Sequence, residues 1–229
     1  ELHNPDIIVL PELWNTAYDL TRLEEVSDES GNNSIKFLSQ LSKLYKIKIV
    51  GGSVAKKTTN GVYNTMFIFE EDGKLVGEYS KLHLFQLMDE HLYLKPGKTD
   101  GLFELSGELC AGMICYDIRF PEWIRTHTVK GAKVLFVTAQ WPLARLHHWR
   151  SLLIARAIEN QCYVVACNRV GNDPNNVFAG HSMIIDPWGE ILTEGTEEES
   201  IVISSIDLKK VDDVRLKIPI FEDRKPHYY

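Results

Sequence analysis

The run Leu109-Cys110-Ala111-Gly112-Met113-Ile114-Cys115-Tyr116-Asp117-Ile118-Arg119-Phe120-Pro121-Glu122 constrains this chain more than any other. Leu109 to Ile114 carry no charge, which describes a strand covered on both faces. Cys115 ends that strand, and Pro121 suits the first turn of a helix, where its missing N–H costs nothing. Gly131 is placed to stop the helix. Open α/β sheets hold their ligands at the carboxyl ends of strands. Cys115 falls at such a position, beside a helix N-terminus whose dipole favours a thiolate. Most free cysteines are small buried hydrophobes, and on this stretch alone that plainer reading is the preferred one.

The rest of the chain narrows the classes. Its 229 residues suffice for one sizeable core, so 1–229 reads as a single domain. A composition of 44% hydrophobic and 25% charged residues argues against disorder. A net charge of −7 gives a nucleic-acid partner no electrostatic support. No apolar run approaches the roughly 20 residues of a membrane span, so no membrane partner is expected. Cys110 and Cys115 are five apart, as are Cys162 and Cys167. That is neither zinc spacing nor a CxxC pair. All four lie in apolar, strand-like runs, which suits reduced thiols in a cytoplasmic protein. His147-His148 has no i,i+4 partner histidine, so neither a metal nor a cofactor is expected.

Read in order, Ile7 to Leu10 form a short buried strand that ends at Pro11-Glu12. A helix runs from an Asn33-Ser34 cap to Tyr45, with Ile35, Leu38, Leu41, Leu44 and Tyr45 on one stripe. Lys46 to Val54 is the next strand, and Gly51-Gly52 within it implies a bulge or a close backbone approach. Val62 to Phe69 and Leu75 to Tyr79 form a hairpin. It leads into Lys81, an ammonium flanked by Tyr79, Leu82 and Leu84. Met88 to Lys98 is loop-like and carries Glu90. Past Cys115 come a strand at Ala132 to Val137, a helix at Leu146 to Asn160 and a strand at Tyr163 to Cys167. A hairpin follows from His181 to Thr193. Ser200 to Ile206 reads as the last strand, Asp207 caps a helix to Leu216, and the tail from Pro219 to Tyr229 packs on a neighbouring surface.

Three reactive groups, Glu12, Lys81 and Cys115, thus stand at strand-to-loop junctions of a layered α/β fold. No G-x-S-x-G elbow, phosphate loop or G-x-G-x-x-G is present. No histidine sits in a papain-like context.

Leu10-Pro11-Glu12-Leu13-Trp14, Tyr79-Ser80-Lys81-Leu82-His83-Leu84-Phe85 and the Gly112 to Glu122 segment resemble the three signature segments of the nitrilase superfamily of carbon–nitrogen hydrolases. Their order fits, with 69 residues from Glu12 to Lys81 and 34 from Lys81 to Cys115. Each segment alone is moderately specific; the ordered three are strong. The likeness runs from Ile7 to Phe221 and includes His148-Trp149, Arg156 to Asn160, Gly180-His181-Ser182 and Asp186 to Gly189. Phe85 to His91, Ala139 to Pro142 and Ile218 to Phe221 are most similar to the bacterial ω-amidase branch, which acts on 2-oxoglutaramate.

The resemblance implies an α-β-β-α sandwich that forms a homodimer. Relative to the family pattern, a strand and a helix ahead of the Glu12 segment are expected to be absent from this chain. It implies hydrolysis of a small ω-amide to an acid and ammonia, with water as co-substrate, through a Cys115 thioester. Glu12 is then the general base and acid, and Lys81 with the Tyr116 N–H receives the oxyanion. Glu90 is implied as a second glutamate that orients Lys81 or substrate. Phe85, Arg119 and Trp141 are expected to touch substrate, Arg119 as a carboxylate clamp or as a structural residue. The alternatives are an N-carbamoyl-amine hydrolase of the same superfamily, a silent interaction module on this fold and a thiol redox protein. Intact Glu12, Lys81 and Cys115 weigh against a silent module. Cys110 weighs against redox chemistry, since an odd offset from Cys115 points it to the other strand face.

Overall fold

A computed structural model describes residues 4–228. Glu1 to His3 and Tyr229, the last residue of the expected tail, lie outside it. Strands β1 (Ile7–Val9), β2 (Asp28–Glu29), β3 (Lys48–Val50), β4 (Val54–Thr58), β5 (Gly61–Phe69) and β6 (Leu75–Ser80) build one sheet. Strands β7 (Leu102–Leu105), β8 (Glu108–Ile114), β9 (Val134–Ala139), β10 (Tyr163–Asn168), β11 (Met183–Ile185) and β12 (Ile191–Glu194) build the second, in the order β12-β11-β10-β9-β8-β7. The helices are α1 (Leu23–Val26), α2 (Asn32–Tyr45), α3 (Glu90–Tyr93), α4 (Pro121–Thr128), α5 (Leu146–Asn160), α6 (Lys209–Lys217) and α7 (Ile220–Asp223).

The apolar strands explain the layers. The last five residues of β8 and all six of β9 are buried, so both faces of the second sheet need cover. One face meets the first sheet, in a core that joins Met66, Ile68 and Tyr79 to Met113, Ile114 and Phe136. The sheets approach closely: a Cβ on Gly112 would stand 2.6 Å from the Met66 sulfur. Trp149, Leu153 and Ala157 of α5 join the same core from the other side. On the outer face of the first sheet, Leu38 of α2 packs with Ile49, Phe67 and Phe69. The result is the expected α-β-β-α sandwich.

Several local readings change. Leu44 and Tyr45 are exposed, at 71% and 69%, although they continue the α2 stripe. Lys46 adopts a left-handed φ of 51° and turns the chain back, so that Ile47 enters the core instead. The α2 N-terminus is capped by Asp28, whose two oxygens accept the Asn33 and Ser34 N–H groups at 3.1 and 2.7 Å. The single strand at 46–54 is two, β3 and β4, broken at Gly51-Gly52-Ser53, and both pair with the long β5. Ser200 to Ile206 alternates in burial like a strand but pairs with no strand among the described residues, and β12 is the edge of its sheet. Side-chain alternation does not supply a backbone partner. The tail does pack on a surface, with Phe221 between the guanidiniums of Arg125 and Arg215.

Candidate active site

Glu12 is carried in by a backbone crossing. After β1 the chain runs against the break between β3 and β4, where Gly52 has a φ of 59°. There the Ser53 N–H donates to the Pro11 carbonyl at 3.1 Å, and the Leu13 N–H to Ser53 Oγ at 2.9 Å. The Trp14 indole reaches the Gly51 carbonyl at 2.8 Å. Leu13 is itself left-handed, with a φ of 44°. Held this way, Glu12 is fully buried. Its Oε1 accepts from Asn64 Nδ2 at 2.8 Å and Lys81 Nζ at 2.9 Å. Its Oε2 accepts the Gln140 N–H at 2.8 Å, and its own carbonyl accepts the Gln140 side-chain amide at 2.7 Å.

Lys81 follows the end of β6 and is also fully buried. Its backbone is fixed by hydrogen bonds to the Asn64 carbonyl and from the Gly97 N–H, each at 2.8 Å. Its ammonium donates to Glu12 and, at 2.6 Å, to Glu90 Oε1. Burial opposes the Lys81 charge, but Glu12 and its neighbours win and raise its pKa above the usual value. Glu90 opens α3, a short helix inside the stretch expected to be a loop, and is buried. It accepts the Phe85 N–H at 2.6 Å and the Tyr18 hydroxyl. Burial, then the charge of Glu12, pushes Glu90 well above the usual carboxylate range.

Cys115 sits at an elbow. β8 stops at Ile114, and a 3-10 turn from Cys115 to Arg119 leads into α4. Cys115 has a φ of 48°, a left-handed conformation unusual for a residue with a Cβ. Arg156 Nε holds the turn from behind through the Ile118 carbonyl at 2.8 Å, and pairs with Glu159 at 2.7 Å. A helix N-terminus by itself favours a thiolate here, and the surroundings of Cys115 oppose one. Burial, reinforced by Glu12 and Glu90, raises the Cys115 pKa well above the usual thiol value, against the pull of Lys81. A 3-10 turn of five residues supplies less dipole than two adjacent carboxylates oppose. The other cysteines are free thiols too, and burial pushes Cys110 and Cys162 up to about 12 and Cys167 to about 11.

Glu12, Lys81, Cys115 and Glu90 therefore form one buried cluster. Over it lies a pocket lined by Cys115, Tyr116, Phe85, Arg119, Trp141 and Arg145, together with Met88, Gln140 and Pro142. The Phe85 and Tyr116 rings are 4.7 Å apart. The Arg119 guanidinium lies 4.8 Å over Trp141 and that of Arg145 lies 5.4 Å over Phe85. Arg119 also contacts His148 Nδ1 at 3.1 Å. Neither arginine pairs with a carboxylate among the described residues. No group of three or more His, Cys, Asp or Glu side chains among those residues is arranged to hold a metal, and no helix is long and apolar enough to cross a membrane.

Sequence reasoning missed Asn64, Gln140 and Arg145. Asn64 left a faint signal as a buried amide that, with Thr65, precedes the apolar end of β5. Gln140 left one as the polar residue directly after β9. Arg145 left none, because its position depends on how the 143–145 turn folds over Phe85.

The family model for carbon-nitrogen hydrolases matches residues 3–216. The 2-oxoglutaramate amidase of Bacillus subtilis is 57% identical over all of this chain and 88% of its own length. The human omega-amidase NIT2 is 33% identical, over 97% of this chain and 84% of its own. Among solved structures, Nit3 of Saccharomyces cerevisiae, a member of branch 10 of the nitrilase superfamily, superposes with a TM-score of 0.86. It is 32% identical, over 94% of this chain and 81% of that one.

Proposed function

The chain belongs to the carbon–nitrogen hydrolase family, and we propose that within it the protein cleaves a small ω-amide of the 2-oxoglutaramate type to acid and ammonia through a thioester on Cys115. One observation carries the mechanism: Lys81 is held between Glu12 and Glu90 in a water-excluded cluster beside the thiol.

An ammonium has three protons to donate. Glu12 and Glu90 take two, which leaves one for an oxyanion. The Tyr116 N–H lies in the first turn of the 3-10 element, where N–H groups have no intrahelical acceptor, and provides a second donor. A carboxylate offers about four acceptor sites. Asn64 and Lys81 fill those of Glu12 Oε1, and Gln140 fills one on Oε2. The site left on Oε2 is the one that receives the thiol proton.

The chemistry then balances within the cluster. Cys115 gives its proton to Glu12 as sulfur attacks the amide carbon. Passing a proton from thiol to carboxylate leaves the net charge of the buried site unchanged and relieves the Glu12 repulsion that helps to hold the thiol pKa up. The tetrahedral oxyanion rests on Lys81 and Tyr116. Its C–N bond breaks, and the nitrogen takes the proton from Glu12 and leaves as ammonia. Water attacks the thioester with Glu12 accepting its proton. The C–S bond breaks, sulfur recovers that proton, and the acid departs.

The pocket supports a substrate with an anionic far end. Arg119 and Arg145 bring two guanidiniums to the wall that also holds Cys115, with no carboxylate among the described residues to pair them. A substrate carboxylate fills that role by charge-assisted hydrogen bonds. The test is ammonia release from a panel of ω-amides, N-carbamoyl amines and nitriles. The reading expects turnover of an ω-amide bearing a carboxylate, without carbon dioxide. Carbon dioxide released together with ammonia from a carbamoyl amine, and no turnover of ω-amides, overturns it.

A further inference from the structure

We infer that Asp117, which has no part in the proton transfers above, is a positioning residue that sets the distance from Lys81 to Cys115; this rests on the reading of Lys81 as an oxyanion donor. Asp117 is fully buried in the 3-10 turn, two residues after the nucleophile. No lysine or arginine pairs with it among the described residues, and its two oxygens are fully used. Oδ2 accepts the Ile114 N–H at 3.0 Å and the Tyr79 hydroxyl at 2.8 Å. Oδ1 accepts the His83 N–H at 3.1 Å and lies 2.8 Å from His83 Nδ1.

These partners are not scattered. Ile114 is the residue immediately before Cys115. Tyr79 and His83 stand two residues before and two after Lys81. One carboxylate therefore ties the end of β8 to both sides of the lysine, across two different sheets. Neighbouring rings stiffen the joint. His83 stacks on Phe120 at 3.7 Å and 10°, and the Trp123 indole donates to the Tyr79 hydroxyl at 3.2 Å. The Asp117 charge is also felt at Lys81 and Glu90. An anion held by four donors over-determines the spacing that oxyanion stabilisation needs. A misplacement of about 1 Å at such a site costs up to roughly 10²-fold in rate.

The experiment is a double-mutant cycle of Asp117→Asn with Lys81→Ala, read as the single-turnover acylation rate per titratable Cys115. Asparagine keeps the size of aspartate but loses the charge and one acceptor. Asp117→Asn is expected to slow acylation by roughly ten- to a hundredfold with KM little changed. In the Lys81→Ala background the same substitution is expected to slow it by less than about threefold, because the group it positions is gone. Losses that multiply overturn the inference. So does an Asp117→Asn protein with fewer active cysteines that each work at the normal rate, since that marks a purely structural residue. Should Asp117→Asn not fold, Tyr79→Phe removes one donor from the same carboxylate and enters the same cycle with the same expected non-additivity. A normal rate in Lys81→Ala alone overturns the role of Lys81 and this inference with it, whereas a slow Lys81→Ala with multiplicative losses overturns only the role of Asp117.

Discussion

Gly52 stands so close to Pro11 that a Cβ on it would lie 2.1 Å from the Pro11 carbonyl oxygen. The glycine also has a φ of 59°, so it meets two demands that no other residue type satisfies together. Glu12 is the next residue after Pro11. The proposed general base therefore owes its position to a missing side chain forty residues away in sequence.

Gly52→Ala is accordingly expected to push the 10–13 segment outward. Stability should fall by about 1–3 kcal/mol, as for other side chains forced into left-handed backbone. The amide hydrolysis rate should fall further than the melting temperature suggests, because Glu12 moves with the segment. Calorimetry and ammonia release on the same preparation check both. An unchanged rate would detach the crossing from the chemistry.

Lys81→Ala is expected to do two things at once. Losing one oxyanion donor costs roughly 10²–10³ in kcat. It also leaves Glu12 and Glu90 facing each other in the interior, and breaking a buried ion pair costs about 3–5 kcal/mol. Denaturant unfolding and single-turnover kinetics separate the two effects. A variant as stable as the parent would mean that the carboxylates shed their charge by binding protons, and stability should then rise on acidification.

Glu12→Gln keeps the reach of the side chain but cannot accept the thiol proton or ready the water. With an ester that has a good leaving group, slow acylation should leave a thioester in place. Intact-protein mass spectrometry should show that mass in Glu12→Gln, and not in the double variant that also carries Cys115→Ala. Free turnover of the ester at the parent rate would remove Glu12 as the deacylation base.

Glu90 gives a pH signature with a definite sign. Its folded pKa is raised well above the ordinary value of 4.5 by burial and Glu12. Over the range from about 4.5 up to the raised value the folded state binds more protons than the unfolded one, so stability falls as pH rises. Glu90→Gln, fixed in a neutral form, should lack this contribution. The melting temperature of the parent relative to Glu90→Gln should therefore drop on going from pH 4 towards neutrality; a rise would reverse the assignment.

Some features were written locally and could be read from the sequence. The uncharged run into Cys115, followed by Pro121, dictates a buried strand, a turn and a helix. Polar groups placed straight after strands mark Glu12 and Lys81, and Gly51-Gly52 announces a close approach. Each of these follows from steric and hydrophobic rules that act over a few residues. Tertiary structure decided the rest, because burial and charge depend on partners far apart in the chain. Glu12 meets Asn64 across 52 residues and Gln140 across 128. That enclosure raises the Cys115 pKa where a helix N-terminus alone would lower it: desolvation and two neighbouring carboxylates outweigh a short turn's dipole. Leu44, Tyr45 and the 200–206 segment teach the same lesson in packing. A stripe or an alternation fixes which side chains share a face, and the neighbouring layers decide whether that face is covered.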